Sequence, residues 1–236
     1  MAALPLPAQP LPAGIDLSHN NGPVNWPAVA GAGITFCYAK ATEGAWLRDP
    51  SFAANWTGMR EAGLLRGAYH FFHPRRAAGA QARNFIAAVK KLGPGDLPPA
   101  LDLELTGPHD EWPLVEPLRR VSLVVEWLGR VEQALGRKPV IYGCPAFLSA
   151  TFPSGTLARY DLWVAHHTPA PHPSLPRGWR AWTFWQHSPD GAVPGVAGKV
   201  DLDRYNGPLR ELLSLAGAAS PPGYAVLSNF AAAHRA

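Results

Sequence analysis

The chain has 236 residues, of which 47% are hydrophobic and 16% charged. That balance excludes a disordered or fibrous protein and allows one large α/β domain as well as two small ones. A formal charge of +4 suits an anionic partner, but Arg75-Arg76, Lys90-Lys91 and Arg119-Arg120 are isolated pairs with no dense basic stripe, so nucleic acid is not expected.

In chain order, Met1-Ala-Ala-Leu-Pro-Leu-Pro-Ala-Gln-Pro-Leu-Pro12 has neither a basic start nor an unbroken apolar run. No signal peptide is expected there, and any export would use a non-Sec route. Strand-like runs follow at Gly14–Ser18 and Ile34–Lys40. Asp49-Pro50 reads as the N-cap and first turn of a helix carrying Phe52, Trp56, Met59 and Gly63 at helical spacing. After a strand at Gly67–Phe72, Gln81 to Leu92 places Ala82, Phe85, Ile86 and Val89 on one helical side and ends at Gly93. A strand at Ala100–Glu104 precedes a helix from Leu114 to Leu135, with Val121, Val125, Leu128, Val131 and Leu135 as its apolar stripe and Gly136 closing it. Pro139–Tyr142 is the next strand. Beyond residue 145, Pro169-Ala-Pro-His-Pro-Ser-Leu-Pro176 forbids a helix, so strands at Asp161–Ala165, Trp182–Gln186 and Val200–Asp203 are expected to be joined mainly by loops. Leu209–Leu215 reads as one more helix, and Ala216–Gly223 as a linker into a short tail.

The strands are short and apolar on both faces, as in a covered parallel sheet. The expected fold is therefore α/β: an irregular (β/α) TIM-like barrel of eight strands with helices mainly in its first half. The expected division is an N-terminal extension at 1–12, a barrel domain at 13–207, and a C-terminal helix and tail at 208–236. Cys37 and Cys144 read as free thiols rather than a bridge. No run reaches membrane-spanning length without charges or prolines, so no membrane insertion is expected.

Asp102 and Glu104 stand at i, i+2 in an otherwise apolar strand, and alternate side chains share a face roughly 6–7 Å apart. Burying unpaired acids is costly unless a site uses them. Sugar hydrolysis uses such a pair, one protonated and one ionised; two ordinary ion-paired acids are the plainer alternative. Barrel sites form at the C-terminal ends of the strands. Asp16, Glu43, Tyr69, His70, Asp102, Glu104, Tyr142, Trp185, Gln186 and Asp201 all fall at or near such ends. Tyr69, Tyr142 and Trp185 are candidates to hold sugar rings, and Gln186 to orient a carboxylate. Glu43 either enters the pocket or pairs with Lys40 or Arg48, and Trp46 could wall a groove. His70, His73, His166, His167 and His187 lack a recognised zinc spacing, so no metal or cofactor is expected.

With these pieces assembled, the chain resembles the glycoside hydrolase family 25 lysozymes, the Chalaropsis-type N-acetylmuramidases. The resemblance rests on Gly14-Ile-Asp-Leu-Ser18, Val24-Asn-Trp26, Lys40-Ala-Thr-Glu-Gly44, Ala62-Gly63 and Gly67-Ala-Tyr-His-Phe71. Further along it rests on Leu101-Asp-Leu-Glu104, Pro139-Val-Ile-Tyr142, Trp163-Val-Ala165, Phe184-Trp-Gln186 and Val200-Asp-Leu-Asp-Arg-Tyr-Asn-Gly207. It implies an irregular barrel acting on peptidoglycan at the β-1,4 bond between N-acetylmuramic acid and N-acetylglucosamine. It further implies Glu104 as acid/base, with Asp102 stabilising the oxocarbenium ion or orienting the 2-acetamido group, and Asp16 and Asp201 lining the same pocket. Like charge from Asp102, Asp16 and Asp201 is expected to keep Glu104 protonated. Ala39, where the family more often has a bulky apolar residue, and His167, where a tyrosine is usual, depart from the pattern. A monomer is expected. Two other classes stay open on the residues alone: a barrel phosphodiesterase holding Mg²⁺ or Ca²⁺ with Asp16, Asp102, Glu104 and Asp201, and a catalytically silent glycan-binding module. A phage lysis enzyme, a delivered effector and a remodelling enzyme are all compatible with the sequence.

Overall fold

The computed structural model describes residues 10–153 and 155–218; most of the expected N-terminal extension and the tail beyond 218 lie outside them. Nine strands are formed: β1 Ala13–Leu17, β2 Phe36–Glu43, β3 Leu47–Arg48, β4 Leu65–Phe71, β5 Ala100–Asp102, β6 Val140–Gly143, β7 Leu162–Ala165, β8 Phe184–Gly191 and β9 Val200–Tyr205. The helices are α1 Trp26–Gly31, α2 Phe52–Glu61, α3 Ala78–Val89, α4 Pro117–Leu135, α5 Pro145–Thr151 and α6 Leu209–Leu215, with 3₁₀ turns at His19–Asn21 and Trp112–Leu114. Eight of the strands close a barrel in the order β1-β2-β4-β5-β6-β7-β8-β9, with β9 returning to β1; β3 folds back on the end of β2.

The barrel is mixed rather than parallel throughout, because β9 runs antiparallel to both β8 and β1. The connection 192–199 explains this, since a parallel return needs a crossover of roughly a dozen residues or more. Two helix starts also differ from expectation. Asp49 does not cap α2; its carboxylate accepts from Ser51 N and from the backbone and ring of His19, and α2 begins at Phe52. α3 begins at Ala78 and ends at Val89, where Lys90, at positive φ, turns the chain through a Lys91 N to Val89 O bond before the expected stop at Gly93. α4 buries Leu123, Val124, Trp127, Leu128, Val131 and Leu135, leaving Val121 and Val125 at the border of the stripe. α5 was not foreseen; Pro145 opens it and Cys144 Sγ accepts from Phe147 N.

Period-two alternation divides the strand residues. Ile15, Cys37, Ala39, Ala68, Leu101, Ile141, Val164 and Trp185 face outward into a core shared with the helices. Phe36, Tyr38, Leu65, Ala100, Val140, Trp163, Phe184 and Tyr205 face inward, and α6 closes the barrel floor with Leu212, Leu213 and Ala216. The absence of a side chain at Gly67 makes the inner layer possible: a Cβ there would lie 2.1 Å from the Tyr38 ring. Aromatic residues thus fill the lower barrel, so polar inward positions lie only near the top. Cys37 and Cys144 are both free thiols.

Candidate active site

Above the aromatic layer the inward positions turn acidic. Asp16, Tyr69, Asp102, Glu104, Tyr142, Trp163, Gln186 and Asp201 line a cavity of about 110 Å³ at the C-terminal ends of the strands. Strand register assembles it: Asp16 pairs with Asp201, Asp102 with Tyr142, and Tyr142 with Trp163. Glu104 sits just past β5, where Leu103 N donates to Tyr142 O at 3.0 Å and Trp112 Nε1 donates to Glu104 O at 2.8 Å. Gly143 lets that segment close on β6, since a Cβ would come within 2.7 Å of Leu103 O.

A hydrogen-bonded chain crosses the back of the cavity. Gln186 Nε2 donates to Asp16 Oδ2 at 2.8 Å, while Tyr142 OH donates to Gln186 Oε1 at 3.0 Å, with His167 Nε2 3.1 Å from the same oxygen. Trp163 is the floor, packed edge-on against Tyr142 at 4.8 Å between ring centroids, and its Nε1 donates to Asp203 Oδ1 at 2.8 Å. Asp203, fully buried beneath Asp16, has no conventional donor at Oδ2. The two carboxyls are close enough to share a proton: burial first, then the charges of Asp203 and Asp201, raises Asp16 well above the usual carboxylate range, and burial raises Asp203 to about 8 against the lowering hydrogen bonds of Trp163 and Asp16.

The carboxyl groups at the front are also raised. For Asp102 the leading cause is burial, then the charge of Glu104, opposed by the Lys40 ammonium. Glu104 is raised by burial first, opposed by Lys40, with Asp201 contributing like charge. Desolvation, rather than the crowding of acids expected from sequence, is therefore the main force raising its carboxyl. Burial brings Asp201 to about 6. Asp102 Oδ1 is buried without a hydrogen-bond partner, an acceptor open to a ligand N–H or O–H.

Two expected binding residues are elsewhere. Trp185, one position out of phase with Gln186, faces away from the barrel interior; it is 3% exposed and its Nε1 donates to His166 O. Glu43 does not line the cavity: it binds Lys40 Nζ at 2.6 Å and His73 Nε2 at 3.0 Å, which lowers its carboxyl to about 2. His70 points outward, stacked on Trp127 and bonded to Thr42 and Gln81, and burial lowers it to about 3. Conversely, Trp163 and Asp203 were not singled out from sequence, and Lys40 only as the partner of Glu43, a pairing the structure shows. The signal for the first two was the same alternation that placed Tyr142 and Asp201, read one register further. Among the described residues no group of three or more His, Cys, Asp or Glu is arranged to hold a metal ion.

A closed β/α barrel whose mouth shelters a set of acids, their carboxyls raised by burial, over an aromatic floor has the framework of a glycosidase. Comparison with known proteins makes this specific. The profile of glycosyl hydrolases family 25 matches residues 15–196. Lysozyme M1 of Streptomyces globisporus is 36% identical over 208 residues, covering 86% of this chain and 70% of that protein. The N,O-diacetylmuramidase of Chalaropsis sp is 30% identical over 200 residues, covering 80% and 95%. The crystal structure of the bacterial lysozyme from Streptomyces coelicolor matches with a TM-score of 0.84 at 34% identity, covering 88% of this chain and 98% of that one. The chain belongs to glycosyl hydrolase family 25 and is a glycosidase of the lysozyme type.

Proposed function

We propose that this enzyme hydrolyses peptidoglycan at the β-1,4 bond between N-acetylmuramic acid and N-acetylglucosamine, with Glu104 as general acid/base and Asp102 orienting the 2-acetamido group. The observation that carries the reading is the unpartnered, buried Asp102 Oδ1 beside Glu104, whose carboxyl burial raises. A buried acceptor without a donor is costly, and an acetamido N–H in the cleft supplies one. Glu104 gives its proton to the glycosidic oxygen as the C1–O bond breaks. The acetamido carbonyl oxygen, polarised through its N–H bond to Asp102, closes on C1. Water then opens that ring while Glu104 takes its proton, and the anomeric configuration is retained. Lys40 opposes the rise that burial imposes on Asp102, while Asp16, Asp203 and Gln186 hold the back of the cleft. Tyr69, Tyr142 and Trp163 offer faces and hydroxyls to the sugar. The names of the relatives, lysozyme and muramidase, support the same reading.

The test is to digest purified peptidoglycan, reduce the products and identify the sugar at each new reducing end by mass spectrometry. Muramic acid is the expected answer; glucosamine there sinks the bond assignment. Glu104→Gln is expected to lower kcat by roughly 10²–10⁴ without changing the melting temperature by more than a few degrees.

A further inference from the structure

Beside the cleft a second concavity of about 450 Å³ opens between Pro74–Ala77 at the start of α3 and Leu114–Arg119 at the start of α4. Its walls are fixed to the catalytic segment. The turn that carries Leu114 hangs from the backbone carbonyl of Glu104 through Trp112 Nε1, and Phe72 N donates to Asp102 O at 3.1 Å. His73, just ahead of the first wall, lies 3.4 Å from Glu111, just ahead of the second, and 3.0 Å from Glu43 on β2. Arg120 Nε holds Val115 O at 2.6 Å. The concavity is therefore a built part of the barrel mouth rather than a gap between loose loops.

Its chemistry is distinct from that of the cleft. Arg75, Arg76 and Arg119 line it against the single carboxylate of Glu116, and Leu114 (68% exposed), Val115 and Leu123 give it an apolar side. Among the described residues none of the three guanidiniums has a carboxylate partner; Arg76 lies 5.3 Å above the ring of Trp46, which is itself 54% exposed. Three unpaired forks beside apolar surface suit a ligand that is polyanionic, planar at its charges and partly aliphatic. A peptide bearing free carboxylates has those properties, because guanidinium and carboxylate pair in bidentate geometry.

We propose that this groove is a subsite for the acidic peptide branch of muramic acid, with Arg75, Arg76 and Arg119 taking its carboxylates. The inference rests on the muramidase reading, which puts that sugar in the cleft. An extended peptide advances about 3.3–3.6 Å per residue, and the Trp112 turn ties the wall of this groove directly to the Glu104 segment of the cleft. The enzyme thereby favours strands that still carry their peptides.

The experiment uses the full chain, peptidoglycan freed of accessory phosphate polymers, and the same glycan after an amidase has removed its peptides. Wild-type enzyme is expected to prefer the peptide-bearing strand. Arg75→Ala/Arg119→Ala, two exposed positions, is expected to raise KM on that strand about tenfold with kcat unchanged, and to leave the bare glycan unaffected. About 0.5 M salt should erase the wild-type preference, because exposed charges are screened. Equal losses on both substrates, or none on either, overturn the subsite. A wild-type enzyme inactive on both substrates overturns the muramidase reading on which it rests.

Discussion

Among the described residues Lys40 is the one cation that opposes burial at both Asp102 and Glu104. Its Nζ lies 5.0 Å from the Phe71 ring, and Phe71 is the register partner of Asp102. Its charge lowers both Asp102 and Glu104, while Glu43 lowers nothing there and raises Asp102. Asp201 and Tyr69 face the same pocket from β9 and β4, and Asp16, Asp203, His167 and Tyr142 close it behind. If ionised Asp102 governs the acidic limb of the pH–kcat profile and protonated Glu104 the basic limb, the signs follow. Lys40→Met removes a cation, raises both carboxyls and moves both limbs to higher pH, whereas Lys40→Arg leaves them in place. Glu43→Gln removes an anion from Asp102 and moves the acidic limb to lower pH. A uniform loss of rate with unmoved limbs in both variants would show that the pair only holds the loop. Residue roles of this kind were half legible in the sequence. The acids at i, i+2 announced themselves, because charge in an apolar strand has few other uses. The bearing of Lys40 on the acids was hidden because nothing in the sequence says that a β2 side chain ends beside β5. Trp185 was misplaced because a strand residue at the right end of the barrel still has an even chance of facing outward, and only its phase with Gln186 decides.

At the scale of elements, α6 shows what a local reading misses. Its helical character was legible in Leu209–Leu215, but not that Leu212, Leu213 and Ala216 complete the inner layer with Phe36, Tyr38 and Phe184. Gly95 N donates to Ala216 O, and Arg137 holds the Leu215 and Ala216 carbonyls, so the helix is pinned to the barrel floor from two sides. Leu212→Ala, which empties a fully buried position, is expected to destabilise the fold by about 2–5 kcal/mol, read as a lower urea midpoint with an unchanged slope. A chain ending at Gly207 should lose cooperative unfolding altogether; if it unfolds like the longer chain, α6 is an ornament. The eight barrel strands were legible because each is a short apolar run between turn signals. The direction of β9 was not, since it depends on connection length and closure rather than composition. The start of α2 was displaced for a related reason: Asp49 has the chemistry of a cap, but the His19 turn, remote in sequence, claims its carboxylate.

For the molecule as a whole, two buried groups make stability respond to pH in opposite senses. His70 is held neutral, with its folded value near 3 against the ordinary 6.5; the unfolded chain binds the extra proton, so stability is lost as pH falls from about 6.5 toward 3. Asp203 is held protonated with a folded value near 8 against 3.8, and its contribution is complete below about 4 and lost as pH rises toward 8. Asp16 and Asp102 are raised in the same direction and add to the alkaline loss. The two windows overlap between about pH 4 and 6.5, where the opposing slopes offset each other, so the fold should be most stable on the acid side of neutrality within that overlap. Asp203→Asn isolates the alkaline arm: the amide oxygen can still accept from Trp163 Nε1, and no ionisation remains at that position. Because the Asp16–Asp203 pair titrates as a unit, the gain is smaller than an isolated carboxyl would give, on the order of 2–4 kcal/mol at pH 8. It should shrink to nothing near pH 4, where both chains hold a neutral group in that place. Melting curves of the two proteins across pH 4–8 would distinguish this from simple repacking, which would displace the curves by the same amount at every pH. A constant offset would mean that the proton shared beneath the cleft does not exist, and that the acid pocket carries its charges in some other distribution.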